Sequence, residues 1–168
     1  MKTKLRRILI GLSATALFAL IPSLLAHGND RGEAKATIGG AHVSIDYSQP
    51  TLKGRDPLKM IQAGKVWRLG ADAPTTIESD KPLNFGGTTV PKGKHILLAR
   101  FDSPGKWTLI VSTKPYNQYE ASAKLAEIPL TQSETADPVE ALTIKLSDQG
   151  AIEIRWGKLQ LSGSIAGK

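Results

Sequence analysis

Apolar and polar side chains alternate along most of the chain after residue 26, which is the pattern of half-buried β-strands. Polar residues separate Val43, Ile45 and Tyr47, and the same spacing recurs at 107–111, 142–146, 152–156 and 159–165. Residues 96–99 read Ile-Leu-Leu-Ala and are apolar at every position. A strand that is apolar on both faces is typical of the centre of a sheet. The pattern therefore predicts a fold made of β-strands with 96–99 at its centre.

Turn-forming residues separate these strands. Two of the turn signals are glycine pairs, Gly39-Gly40 and Gly86-Gly87. The other three are tripeptides at 91–93, 103–105 and 148–150, each of which combines Gly with Pro or Asp, as is typical of tight turns. The one helical signal is 57–61, where Asp56 can cap the helix and Pro57 takes its first position. We predict an all-β fold, an antiparallel β-sandwich with a barrel-like sheet as the alternative, and one short helical turn near 57–61.

Three longer connections are expected between the strands. They cover about residues 48–72, 113–123 and 131–138. Loops carried by a rigid sheet are where binding and catalytic residues concentrate, so the longest of them, 48–72, is the place to look for a site.

The first 26 residues have the layout of a secretory signal peptide. Residues 1–7 contain four cations and no anion, and residues 8–26 contain no charged side chain. We predict cleavage after Ala26, which releases one β-sandwich domain of residues 27–168 into the periplasm or the medium, with no membrane span left in it. The alternative is an uncleaved N-terminal membrane anchor, because the apolar stretch is nearly long enough to cross a bilayer.

Charge and cysteine content restrict the partners. The formal charge is +7, and loss of the four cations in residues 1–7 lowers it to +3. The remaining cations are interspersed with Asp and Glu, so we expect no nucleic-acid partner. The chain has no Cys, which excludes disulfides and attachment of lipid to an N-terminal Cys. A chain of this length can bury a sufficient core without them.

Four ordered motifs resemble domain-of-unknown-function family 2911. They are Tyr47-Ser48-Gln49-Pro50 with Lys53-Gly54-Arg55, Gly64-Lys65-Val66-Trp67-Arg68-Leu69-Gly70-Ala71-Asp72, Gly86-Gly87 with Val90-Pro91-Lys92-Gly93-Lys94, and Trp107-Thr108-Leu109-Ile110. The likeness covers roughly residues 34–166. It implies an exported bacterial protein with a β-sandwich-like domain, and it implies no activity because the family has none assigned.

Candidate binding residues concentrate in the 48–72 connection. They are Lys53, Arg55, Trp67, Arg68 and Asp72. A guanidinium beside an indole suits a planar anionic or sugar-like ligand, through paired hydrogen bonds and stacking. The alternative is a structural role, in which the tryptophan anchors the loop in the core and the arginines form ion pairs with the acidic residues nearby.

Other chemistry has weaker signals. There is no Gly-x-Ser-x-Gly motif, no phosphate loop and no dinucleotide motif, so we expect no cofactor. His42 and His95 are not at metal-ligand spacing, so we expect no metal site. We assign no catalytic residue. Hydrolysis by an Asp with a His, or by two carboxylates, remains open among Asp46, Asp72, Glu78, Asp80 and Asp102.

The leading functional hypothesis is an exported, non-catalytic module that binds a small ligand or an envelope protein through the 48–72 connection. The alternatives are an extracytoplasmic hydrolase of glycan or ester, and a structural or envelope-assembly protein. The positions of Arg55, Arg68 and Asp72 distinguish these hypotheses. An open polar concavity favours binding, two converging carboxylates favour catalysis, and a buried cluster of ion pairs favours a structural role.

Overall fold

Antiparallel β-strands make up nearly all regular structure in residues 28–168, the part of the chain that the computed structural model describes. The strands are β1 (Arg31–Ile38), β2 (Ala41–Ser48), β3 (Val66–Trp67), β4 (Thr76–Ser79), β5 (Leu83–Phe85), β6 (Thr88–Val90), β7 (Gly93–Ser103), β8 (Lys106–Ser112), β9 (Lys124–Leu146), β10 (Ala151–Ser164) and β11 (Ala166–Gly167). The helices are α1 (Pro57–Met60) and two 3-10 turns, Tyr116–Gln118 and Ala121–Ala123. The predicted signal peptide, residues 1–26, lies outside the described residues. None of the helices within 28–168 is long and apolar enough to span a bilayer.

The strands form one large curled sheet and one small sheet. The large sheet has the order β1-β2-β4-β7-β8-β9-β10, with β3 added against β7, and it curls into a half-barrel. The small sheet has the order β11-β5-β6. The prediction of an antiparallel all-β fold is confirmed. The predicted interior strand is confirmed as well, because 96–99 lies in β7 and pairs with both β4 and β8.

The helical turn forms where the sequence predicts it. Asp56 caps α1, and its carboxylate accepts a hydrogen bond of 2.9 Å from the backbone N–H of Leu58. Pro57 occupies the first turn and is buried. The helix ends at Ile61, whose N–H bonds the carbonyl of Pro57 at 3.1 Å. The capping residue and the proline together account for where the helix begins.

The β9–β10 hairpin bends across the sheet, which corrects one prediction. Residues 131–138 were expected to be a loop, but they lie within β9. Thr131 to Glu134 pair with Ser162 to Leu159, and the register then shifts on both sides of Gly157, which has φ of 61°. A bulge of this kind absorbs extra residues without ending the strand and bends it. The far half of the hairpin consequently reaches the segment after β2, where the N–H of Leu142 bonds the carbonyl of Pro50 at 3.1 Å.

Three tryptophans pack together in the core. Trp67 of β3 stacks on Trp156 of β10 with ring centroids 5.8 Å apart, and it meets Trp107 of β8 edge to face at 6.4 Å. Trp107 and Trp156 are buried, and the indole N–H of Trp107 donates to the Oε1 of Gln132 at 2.8 Å. The short strand β3 is therefore held from inside the half-barrel by aromatic contacts as well as by its pairing with β7.

Candidate functional site

Lys53 and Arg55 fasten the start of the 48–72 connection. The backbone N–H of Lys53 donates to the carboxylate of Glu140 at 2.8 Å. The guanidinium of Arg55 donates to the carbonyl oxygens of Leu52 at 2.8 Å and Thr51 at 3.1 Å. Both side chains belong to exposed residues. The hydrogen bonds of Arg55 stay within its own loop, so its position suits loop stabilisation.

Trp67, Arg68 and Asp72 lie at the other end of the connection. Arg68 and Asp72 line one cavity, and Trp67 and Arg68 line a second. Trp67 ends β3 and packs on Trp156 in the core, whereas Arg68, the residue after β3, lines the outer cavity with Asp72. The five candidate residues are thus divided among the start of the loop, the core and an outer cavity. The lysine and Arg55 do not line the cavity of Arg68 and Asp72.

The backbone after Arg68 is held in an unusual conformation. Leu69 has φ of 56° and is fully buried, and the hydroxyl of Thr75 donates to its carbonyl at 2.7 Å. Within residues 28–168, the non-glycine residues with positive φ are Lys53, Leu69 and Asp72, all in or at the end of the 48–72 connection. Such conformations persist only when the surroundings enforce them, and they concentrate at functional sites. Burial of the Leu69 side chain and the threonine hydrogen bond enforce this one.

Asp72 is fixed by the chain that precedes β1. Its Oδ2 accepts hydrogen bonds from the backbone N–H of Asn29 at 2.9 Å and from the Asn29 side-chain amide at 2.8 Å. These two hydrogen bonds lower the pKa of Asp72 below its ordinary value of 3.8, and the positive charges of Arg68 and Arg31 lower it further. The carboxylate is therefore ionised at neutral pH and contributes a negative charge to the rim of the outer cavity.

Arg68 and Tyr116 together separate two adjoining cavities. The guanidinium carbon of Arg68 lies 5.1 Å from the centroid of the Tyr116 ring, a cation–π contact. One cavity, of about 350 Å³, is lined by this pair and by Asp72, Ile96 and Leu98 among others. The second, of about 490 Å³, is lined by the same pair and by Met60, Lys65 and Trp67 among others. We call the two cavities and the Arg68–Tyr116 pair between them the Arg68 cleft.

The floor of the first cavity is apolar. Ile96 and Leu98 come from β7, and Leu98 is fully buried although it faces away from the main core that holds Leu97 and Ala99. The loop after β3 and the 3-10 turn of Tyr116 cover this outer face of the sheet. Tyr116 was not among the predicted site residues. The signal that could have indicated it was the strand 96–99, because a strand apolar on both faces requires a segment to cover its outer side.

Arg68 differs from every other arginine in residues 28–168. It makes no hydrogen bond and no ion pair with any residue of that part of the chain, whereas each of the others is bound. Arg31 pairs with Asp46 at 2.6 Å, Arg100 with Asp102 at 2.5 Å and Arg155 with Glu153 at 2.9 Å, while Arg55 bonds backbone carbonyls. The donors of the Arg68 guanidinium face the two cavities without an internal acceptor among the described residues.

The carboxylates considered for hydrolysis are each bound to a neighbouring group. Besides the pairs already described for Asp46, Asp72 and Asp102, Glu78 pairs with Lys94 at 3.3 Å, and Asp80 accepts from the backbone N–H of His42 at 2.8 Å. His42 also lines a separate cavity of about 490 Å³ with Asp80 and Asp148, where its Nδ1 lies 3.3 Å from the hydroxyl of Thr37. In residues 28–168, no group of three or more His, Asp or Glu side chains is placed to hold a metal ion.

Comparison with known proteins places the chain in a family without indicating an activity. One family model, described as "Protein of unknown function (DUF2911)", matches residues 29–165, which include every strand from β1 to β10. A search of curated proteins and a search of solved structures each returned no match to this chain. Since the family model covers most of the sequence, the chain belongs to the DUF2911 family of proteins of unknown function.

Proposed function

We propose that this protein is an exported, non-catalytic module that binds a small organic anion in the Arg68 cleft. The observation that carries the proposal is Arg68, a half-buried residue that lines two cavities and whose guanidinium has no hydrogen-bond or ion-pair partner within residues 28–168. A guanidinium whose donors are unused and face a cavity can bind an anion supplied from outside through charged hydrogen bonds.

The surroundings of Arg68 suit a carboxylate. The contact with the Tyr116 ring, 5.1 Å from the guanidinium carbon to the ring centroid, restricts where the guanidinium can lie. A planar guanidinium offers parallel N–H donors that match the two oxygens of a carboxylate, and such paired, charged hydrogen bonds are among the strongest in proteins. The buried Leu98 beneath the cavity lowers the local dielectric, which strengthens the attraction.

Asp72 restricts where the negative charge of a ligand can lie. It is ionised, and it lines the same cavity as Arg68. A ligand anion is attracted by Arg68 and repelled by Asp72, so its carboxylate is directed to the guanidinium and away from the carboxylate rim. A neutral or positively charged part of the ligand fits the Asp72 side. Opposite charges at the two sides thus select orientation as well as charge.

The competing functions have less support in the contacts. Catalysis by paired carboxylates needs groups that are free to bind water or a leaving group, and each acidic residue considered for this role is bound to a neighbour. A structural role for Arg68 needs an internal ion pair, and it has none with residues 28–168. The extracytoplasmic location in the proposal is supported by the cations and apolar stretch of residues 1–26.

A thermal-shift screen tests the proposed function. The full chain is expressed, the protein is recovered after any processing, and its unfolding midpoint is measured with a panel of organic anions and their neutral analogues. A ligand at about 100 times its Kd stabilises the folded state by about 2.7 kcal/mol. We expect anions to raise the midpoint, Arg68→Ala to abolish the shift, and Lys92→Ala to preserve it. Lys92 is a matched control because it is an exposed cation in the turn before β7. Anion binding that persists unchanged in Arg68→Ala would refute the proposal.

A further inference from the structure

Unbound amide side chains surround the Arg68–Tyr116 pair. Asn117 and Gln118 line the first cavity and Gln62 lines the second. None of the three makes a side-chain hydrogen bond with another residue in the described part of the chain. Several amide side chains elsewhere are hydrogen-bonded within the protein. Two of them donate, Asn29 to Asp72 and Gln49 to the carbonyl of Leu142, and two accept, Asn84 from the N–H of Gly87 and Gln132 from the indole of Trp107. The cleft therefore offers donors and acceptors beyond those that one carboxylate uses.

The aromatic ring in the cleft is accessible. Tyr116 is 43% exposed, which places it among the few large hydrophobic side chains of residues 28–168 that are open to solvent. Arg68 lies over one face of its ring. Such a ring can pack against the apolar C–H face of a ligand while the tyrosine hydroxyl remains in contact with water. Amide groups, an open aromatic ring and a guanidinium together match a ring that carries hydroxyl groups and a carboxylate.

The two cavities indicate the length of the ligand. They lie on the two sides of the Arg68–Tyr116 pair, with volumes of about 350 and 490 Å³, and each contains at least one unbound amide. Each is within the size range of sites that enclose a small molecule. A ligand that crosses the pair can occupy both, which a single compact acid cannot do.

We infer that the ligand of the Arg68 cleft is an acidic oligosaccharide of at least two sugar rings, with a uronic-acid carboxylate bound by Arg68. The inference rests on the proposed function and adds the ligand class to it. The carboxylate pairs with the guanidinium, Tyr116 packs against a ring face, and Gln62, Asn117 and Gln118 bind hydroxyl groups on both sides. An aromatic acid uses the guanidinium and the apolar floor but leaves these amides unused.

Binding is measured by titration calorimetry and by tryptophan fluorescence, for which Trp67 in the wall of the second cavity is the reporter. The probes are disaccharides and tetrasaccharides of galacturonic, glucuronic and mannuronic acid, the same sugars with methyl-esterified carboxyls, and benzoate as an acid without hydroxyls. We expect at least one acidic oligosaccharide to bind, its ester to bind about tenfold more weakly or worse, and Arg68→Ala to remove that difference while Lys92→Ala keeps it. Gln62→Ala and Asn117→Ala should weaken the oligosaccharide but not benzoate.

The outcomes separate this inference from the proposed function. If benzoate binds in an Arg68-dependent manner and none of the oligosaccharides binds at millimolar concentration, the ligand class is wrong and anion binding stands. Oligosaccharide binding that is indifferent to esterification, or to the amide substitutions, also overturns the inference. If none of the anions depends on Arg68, both proposals fail. Circular dichroism checks that each variant is folded. The Arg68→Lys variant keeps the positive charge but removes the paired donors, so it should bind the acidic oligosaccharide more weakly than the natural protein.

Discussion

Replacement of Trp67 by alanine should destabilise the protein strongly, whereas replacement of its neighbour Arg68 should not. Trp67 packs against two other tryptophans, one of them nearly parallel at 5.8 Å and one edge to face at 6.4 Å. Arg68 follows it in the chain, lines both cavities of the cleft, and has no ion pair within residues 28–168. The two substitutions therefore compare an anchor of the core with a group of the proposed site at adjacent positions.

The expected magnitude follows from these contacts. Truncation of a buried aromatic side chain to alanine costs about 3–5 kcal/mol, and each favourable aromatic pair adds about 0.5–1.5 kcal/mol. Trp67 is only half-buried, which lowers its burial contribution, but it loses two aromatic pairs. We expect a loss of about 3 kcal/mol, a large fraction of the stability of a domain of this size. The midpoint of thermal unfolding should fall by about 10 °C. Arg68→Ala should change the free energy of unfolding by about 0.5 kcal/mol or less.

Urea unfolding followed by circular dichroism measures both values, since the slope with denaturant should stay constant while the midpoint moves. Trp107 and Trp156 remain in both variants as a fluorescence control for the core. A change below about 0.5 kcal/mol for Trp67→Ala would refute its role as an anchor. A loss of about 3 kcal/mol or more for Arg68→Ala would show that its donors are used inside the protein, and the proposed binding role would lose its main residue.

Three further predictions concern acid stability, a turn and export. The lowered pKa of Asp72 means that its ionised form stabilises the fold above about pH 4, and that this contribution is lost as the pH falls through the folded-state pKa. The Asp72→Asn variant should therefore lose less stability than the natural protein between neutral pH and pH 3, as measured by acid titration. An unchanged pH profile would contradict a stabilising role for the Asp72 carboxylate. Gly150→Ala should cost more than about 1 kcal/mol in urea unfolding, because Gly150 has φ of 81° and an added Cβ would collide with the carbonyl of Ile165; equal midpoints would show that the turn can rearrange. The intact mass of protein recovered from its producing cell should equal that of a chain that begins at His27. Recovery of the full chain from membranes would instead favour the N-terminal anchor.

Much of the fold could be predicted because it depends on local rules. Period-two alternation and turn residues indicate where strands begin and end, and Asp56 with Pro57 indicates the one helical turn. These signals depend on a few neighbouring residues, so they can be read from the sequence without knowing which strands pair. The bend of β9 could not be predicted this way, because residues 131–138 are rich in polar side chains and include Pro138, which normally marks a loop. They remain in a strand because β9 bulges opposite Gly157, where several residues of β9 face two of β10.

The candidate site was predictable only in part. The sequence shows cations, a tryptophan and an acid in one long connection, and it predicts that strand 96–99 is central in the sheet. It does not show that the backbone of Lys53 bonds β9 while Arg55 bonds its own loop, that Trp67 stacks in the core, or that Arg68 contacts Tyr116. Except for those of Arg55, these contacts join residues that are far apart in the chain, so local patterns in the sequence cannot indicate them. Which segment meets Arg68, the residue after β3, depends on how β7 and β8 bring the distant turn of Tyr116 against the loop.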